Sequence, residues 1–137
     1  MKTKILIASL ITAAAICGWA QTSAVPDIDS VAPVVVKTVP EAGSKEVAPG
    51  DMEIKVVFSK EMMDQSWSPA DAWNNSTPKI IGKPKYDADR KTWTLKVKLE
   101  PAKTYGYWLN SPKFANFKDA QGHSAIPYLL TFKTKAQ

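Results

Sequence analysis

Apolar and polar residues alternate along several short stretches of the chain, most regularly from Trp93 to Glu100. A period of two with one polar face is typical of a half-buried β-strand, because successive strand side chains point to opposite faces. The pattern recurs in residues 52–58, 105–109 and 128–132. Among the residues that the alternation turns inward, five are predicted to be structural: Phe58, Trp93, Leu95, Val97 and Tyr105.

Two further strands are predicted from β-branched and short apolar runs. One begins at Val34 and stops at Pro40, and the other covers about Lys79 to Tyr86 and is joined to the Trp93 strand by the loop Asp87 to Lys91. No segment sustains a helical period. Many short strands with turn signals about every ten residues predict an all-β, antiparallel sandwich.

The N-terminal residues predict export. Two lysines precede an uncharged, mostly apolar run, Ile5 to Ala20, which is shorter than the roughly 20 residues of a membrane span. Small residues at Gly18 and Ala20 favour cleavage before Gln21. The predicted organisation is a signal peptide, a flexible leader and one domain: residues 1–20, 21–32 and 33–137.

The single cysteine, Cys17, falls inside the predicted signal peptide. A lipid-modified cysteine normally follows a small residue, whereas Ile16 precedes this one, so lipidation is the less favoured alternative. Cleavage after Ala20 would remove the thiol, leaving neither a disulfide nor a cysteine nucleophile.

The charge of the chain does not favour nucleic acid as a partner. Without Lys2 and Lys4, 16 of the 18 basic residues remain against 13 acidic ones, which is an ordinary balance for solubility. Arg90 is the only arginine, although arginine is the side chain best suited to bases and phosphates. No lysine cluster stands out, and Lys96 and Lys98 are interpreted as a solvated sheet face.

The chain resembles the bacterial Ig-like domains, which are known from surface-layer proteins and as modules of secreted bacterial proteins. The resemblance extends from Pro33 to Thr134. Its features are, in order, residues 33–40, Gly43, residues 54–59 with Met62 or Met63 behind them, Leu99, Pro101, Thr104, Tyr105, residues 119–122 and residues 132–134. It implies a Greek-key immunoglobulin-like β-sandwich of about seven strands with a non-catalytic role. Tyr105 stands where such folds place a tyrosine corner, whose hydroxyl holds the preceding loop.

The sequence does not predict an enzyme. His123 is the only histidine and lies in a polar turn, where no local motif supplies a nucleophile or an orienting group. Asp87 and Asp89 are the closest pair of carboxylates, and turn formation accounts for them.

A copper-handling protein of the periplasmic copper-resistance type is the alternative. That group shares early Pro, Gly and Phe-Ser-x-x-Met features, and copper favours thioether and imidazole ligands. The available ligands here are Met52, Met62, Met63 and His123. Methionines that plug the end of a sandwich are the simpler interpretation, so neither a metal site nor a cofactor is predicted.

The candidate binding residues are three tryptophans of the predicted domain: Trp67, Trp73 and Trp108. Trp67 and Trp73 lie in a long connection, residues 59–78, and one of them is expected to belong to the core. The alternation that turns Tyr107 and Leu109 inward turns Trp108 outward, where it would meet a partner or be covered by the loop Ser111 to Phe117 or by an edge contact.

These features predict an exported, periplasmic or extracellular interaction module. Its expected partner is a protein or a cell-envelope polymer, carbohydrate included. It is not expected to be embedded in a membrane after the signal peptide is removed.

Overall fold

The computed structural model describes residues 24–137, so the predicted signal peptide and Cys17 lie outside the described residues. Within this range the chain forms one short 3-10 helix, Ile28–Ser30, and eight β-strands. The strands are β1 Val35–Val39, β2 Gly50–Phe58, β3 Pro69–Asp71, β4 Lys79–Ile80, β5 Lys85–Tyr86, β6 Thr92–Leu99, β7 Thr104–Leu109 and β8 Tyr128–Lys133. None of the described helices is long and apolar enough to cross a membrane.

The strands form two antiparallel sheets. The first has the order β1-β2-β6-β4, with β5 also paired to β6, and the second has the order β3-β7-β8. If β4 and β5 count as one interrupted strand, this is the seven-stranded order of an immunoglobulin-like sandwich. The predicted fold class is therefore confirmed.

The predicted strand from Lys79 to Tyr86 is interrupted in the middle. Gly82 lies so close to β6 that a Cβ atom there would be 2.9 Å from the Cβ of Lys96. Pro84 has no N–H group to donate to the neighbouring strand. Regular pairing is therefore limited to the two ends, β4 and β5, with one further hydrogen bond from the Ile81 N–H to the Lys96 carbonyl.

The core lies between the two sheets and contains the five residues predicted to be structural. Phe58, Trp93, Leu95, Val97 and Tyr105 are all buried. They pack with inward side chains of the second sheet and of the connections: Met62, Tyr107, Leu109, Phe117, Leu130 and Phe132. Because each large side chain removes apolar surface from water, this cluster is the main source of stability.

Phe117 is part of the core, although it lies in the long connection between β7 and β8. Its ring centroid lies 5.3 Å from Trp93 in an edge-on arrangement and 5.5 Å from Phe58. The buried amide of Asn110 holds it there: Nδ2 donates to the carbonyls of Phe117 and Ala125, and Oδ1 accepts the Phe117 N–H at 2.8 Å. The long connection after β7 is thus anchored to the core.

The chain between β1 and β2 crosses to the second sheet. The Gly43 N–H donates to the Thr131 carbonyl at 2.7 Å, and Val47 forms a parallel bridge with Thr134. Gly43 has φ +84, a conformation that glycine adopts without steric cost. This crossing covers part of the otherwise free edge of β8.

Lys60 ties the N-terminal segment to the domain. Its ammonium group lies 2.7 Å from the buried carboxylate of Asp119 and donates to the backbone carbonyls of Ile28, Asp29 and Val31. Burial by itself would raise the pKa of Asp119, but hydrogen bonds from Lys60 and His123 lower that pKa to about 2. The described part of the predicted leader is therefore held by a buried ion pair.

Tyr105 forms a tyrosine corner. Its hydroxyl accepts the Glu100 N–H at 2.7 Å, across the turn that joins β6 to β7. Tyr107 is equally buried two residues later, but its hydroxyl has no hydrogen-bond partner among residues 24–137.

We predict that removal of the Tyr105 hydroxyl and removal of the Tyr107 hydroxyl have different effects on the free energy of unfolding. Tyr105→Phe leaves the Glu100 N–H unpaired and should lower the free energy of unfolding by about 1–3 kcal/mol. Tyr107→Phe removes an unsatisfied polar atom and should leave that free energy unchanged or raise it. Urea denaturation of both variants measures the difference, and equal destabilisation would contradict the assigned role of Tyr105.

Asp119 should make stability dependent on pH in the acid range. Its pKa of about 2 in the folded chain lies below the ordinary value of 3.8, so its ionised form stabilises the fold above about pH 4. This contribution is lost as the pH falls from about 4 to about 2. Asp119→Asn should cost about 3 kcal/mol at pH 7, because it leaves Lys60 charged beside a neutral side chain.

Thermal unfolding at pH 7 and at pH 2 measures this effect. The exposed carboxylate of Glu46 provides the control, since Glu46→Gln should leave both melting temperatures nearly unchanged. A destabilisation by Asp119→Asn that is equally large at both pH values would contradict the role of its charge.

Candidate functional site

The outer surface of the second sheet exposes a group of apolar side chains. We call it the aromatic face and define it by Trp73, Trp108 and Leu129. Trp108 lies in β7 between the buried residues Tyr107 and Leu109 and pairs with Leu129 of β8. Since directly opposite residues in an antiparallel pair share a face, Trp108 and Leu129 are neighbours on the outside of the sandwich.

Trp73 reaches the same face by packing on Gly106. A Cβ atom at Gly106 would lie 2.2 Å from Cζ3 of Trp73, so only glycine leaves room for the indole ring. Gly106 precedes Trp108 by two residues in β7, which places the two positions on one face at a spacing of about 7 Å. The two tryptophans therefore occupy neighbouring positions on one face. Trp73 and Leu129 are 43% and 37% exposed, whereas Trp108 is half-buried.

A buried serine fixes the loop that carries Trp73. The Ser76 hydroxyl accepts the N–H groups of Ala72 and Trp73 and donates to the Gly106 carbonyl at 2.7 Å. The neighbouring Thr77 donates its N–H and its hydroxyl to Asp71. The backbone of Trp73 is therefore held in place, while much of its side chain stays in solvent.

Trp67 lies elsewhere. It is partly buried against the core, and its ring centroid is 6.0 Å from that of Tyr86 in the first sheet. The Tyr86 hydroxyl donates to the Ser66 carbonyl, and burial, reinforced by the negative charge of Asp64, raises the pKa of Tyr86. Neither Trp67 nor Trp73 is fully buried; the tryptophan at the centre of the core is Trp93.

The residues considered for catalysis form hydrogen bonds within their own turns and loops. His123 Nδ1 lies 3.0 Å from Asp119, and the hydroxyl of its neighbour Ser124 donates to the Ala115 carbonyl. Asp89 accepts the N–H groups of Lys91 and Thr92 in the turn between β5 and β6. These hydrogen bonds lower the pKa of Asp89, and the bond from the Thr92 N–H has the largest effect.

The residues considered for copper differ widely in exposure. Met62 is fully buried in the core, Met52 packs against the core, and Met63 is 41% exposed. Within residues 24–137 there is no group of three or more His, Cys, Asp or Glu side chains that could hold a metal ion.

Comparisons with known proteins agree with this architecture. The family model of the bacterial Ig-like domain matches residues 29–134. Among solved structures, that of surface layer protein SbsC, domains 1-6, matches with a TM-score of 0.51 and 15% identity. The match covers 78% of this chain and 14% of that chain, and at this identity it shows the fold alone. A search of curated proteins found no match. Because the family model spans most of the sequence, the chain belongs to the bacterial Ig-like domain family.

Proposed function

We propose that the chain is a non-catalytic, exported module that binds a protein or a cell-envelope polymer through its aromatic face. The observation that carries this proposal is the pair of adjacent tryptophans, Trp73 and Trp108, on the outer surface of the second sheet. Tryptophan is among the residues that contribute most to binding energy at interfaces.

The positioning of the two rings favours binding over incidental exposure. Ser76 and Asp71 hold the loop of Trp73, and Trp108 lies within a paired strand. Side chains that are already ordered lose little conformational entropy when a partner docks, so more of the contact energy appears as affinity. An indole ring also offers an apolar surface and an N–H donor, which suits both proteins and sugars.

An exported, non-catalytic role is consistent with the other features of the chain. The predicted signal peptide, residues 1–20, would direct the domain out of the cytoplasm. The hydrogen bonds of Asp89 and His123 lie within turns and loops, where they stabilise the local backbone. Membership of the bacterial Ig-like domain family is compatible with such an exported module.

The copper-handling alternative has less support. It requires Met62 or Met63 to converge with His123 on an accessible surface, and Met62 is completely buried. Titration of the purified protein with Cu(I) and Cu(II) tests it directly, and binding tighter than micromolar would revive it.

We predict that substitution of the aromatic face weakens capture of envelope components. Trp108→Ala and Trp73→Ala should each reduce recovery of specific partners from envelope extract several-fold, because a central tryptophan commonly contributes about 2 kcal/mol or more to binding. A pull-down with the exported protein, followed by quantification of bound protein and of bound sugar, measures the effect and separates the two partner classes.

Ile80→Ala is the matched control for this experiment. Ile80 is 55% exposed but lies in the first sheet, so its truncation removes exposed apolar surface without touching the aromatic face. Circular dichroism spectra should show that all three variants are folded. Unchanged recovery with both tryptophan variants would overturn the proposal.

A further inference from the structure

The outer surface of the first sheet collects lysines from all five of its strands. We call it the basic face and define it by six residues: Lys37, Lys55, Lys79, Lys85, Lys96 and Lys98. In the sequence these lysines are spread over more than sixty positions, from Lys37 to Lys98. The strand register brings them onto one surface.

The register shows that the six lysines share a face. Lys96 and Lys98 alternate with the buried residues Val97 and Leu99, so they point outward. Lys79 lies directly opposite Lys98 and therefore points the same way.

The other three positions follow from the same rule. Lys55 and Lys85 both lie opposite Thr94, which alternates with the buried residues Trp93 and Leu95. Lys37 lies opposite Val57, which is on the same face of β2 as Lys55.

The positive charge of the described chain is concentrated on this face. Two carboxylates, Asp51 and Glu53, share the face with the six lysines, so its formal charge is +4. Residues 24–137 contain 16 of the 18 basic residues and all 13 acidic ones, so ten basic and eleven acidic residues remain elsewhere. The rest of the described surface therefore carries a formal charge of −1.

Within residues 24–137 most of these ammonium groups form no close ion pair, although Asp51 lies opposite Lys98 and Glu53 lies opposite Lys96. Within residues 24–137, Lys55 is the only member of the basic face with a carboxylate oxygen within 4 Å, and its distance to Glu53 is 3.5 Å. Lys79 and Lys98 place like charges directly opposite each other, an arrangement that costs stability unless an anion lies between them.

We infer that the basic face binds a linear polyanion of the cell envelope, a polymer that carries phosphate or carboxylate groups along its chain. Lysines follow one another at about 7 Å along β6 and at about 5 Å between paired strands, so one polymer chain can meet several of them in succession. Each contact would release counterions from the polymer, which is a favourable term that depends strongly on salt.

The composition of the face favours a polymer over two other anionic surfaces. A flat lipid bilayer would press Asp51 and Glu53 against anionic headgroups, whereas a flexible chain can follow the lysines and pass these carboxylates. Sequence-specific recognition of nucleic acid depends on arginine forks, and the basic face has no arginine. Lysine acts as a point charge and suits a repeating anion of no fixed geometry.

This inference relies on the proposed function only for the envelope setting, because the basic and aromatic faces are on opposite sides of the sandwich. The experiment measures binding of the exported protein to immobilised poly(glycerol phosphate) and to polygalacturonate over a series of salt concentrations. These two probes separate a phosphate polymer from a carboxylate polymer.

The test variant replaces four lysines of the face: Lys55→Gln, Lys79→Gln, Lys85→Gln and Lys98→Gln. Its affinity for the preferred polymer should fall at least tenfold, and the slope of log K against log salt should decrease by about one for each lysine in contact. The matched control replaces four exposed lysines outside the face: Lys45→Gln, Lys113→Gln, Lys133→Gln and Lys135→Gln. This control has the same net charge as the test variant. Its affinity for the polymer should stay within about twofold of that of the unchanged protein.

Three results would overturn the inference: unchanged binding by the test variant, equal loss in the control variant, or tighter binding to vesicles that contain phosphatidylglycerol than to either polymer. Trp108→Ala should retain polymer binding, and the four-lysine test variant should retain capture through the aromatic face. The two proposals can therefore fail independently.

Discussion

The antiparallel pairing of β2 with β6 holds the rest of the sandwich in place. It extends over eight residue pairs, from Gly50 with Leu99 to Val57 with Thr92. Along this ladder the inward side chains of both strands form one side of the core, and Trp93 contacts Phe117 from the opposite connection. β1 is attached to β2, and β4 and β5 are attached to β6. A slip of one residue in this pairing would turn the core side chains into solvent.

The same alternation creates two chemically different outer surfaces. In the first sheet, each strand contributes at least one outward lysine, so that the net positive charge collects on one side. In the second sheet, Gly106 leaves a space beside Trp108 that the ring of Trp73 fills. The two surfaces are separated by the thickness of the core, so the two proposed binding roles do not compete for one surface.

Buried polar groups, and not additional strands, order the longer connections. Asn110 fixes residues 110–127 by bonding the backbone of Phe117 and Ala125, Ser76 fixes the loop of Trp73, and Asp119 joins Lys60 to the N-terminal segment. Such groups are expensive to bury unless they are fully hydrogen-bonded, which explains why each bonds several backbone groups. They make these connections part of the rigid domain.

The sequence by itself determined the longer strands, their inward residues and the outward direction of Trp108, because alternation with a period of two is a local property. It did not predict the short strand β3 or the interruption between β4 and β5. It also indicated the tyrosine corner, because Tyr105 follows a turn at the start of a strand. It did not distinguish the buried Phe117 from an exposed loop aromatic, because that difference depends on contacts with Trp93 and Asn110 from distant positions. Only the tertiary structure decided that Trp73 joins Trp108 and that six scattered lysines share one face, because strand register between distant segments sets both arrangements.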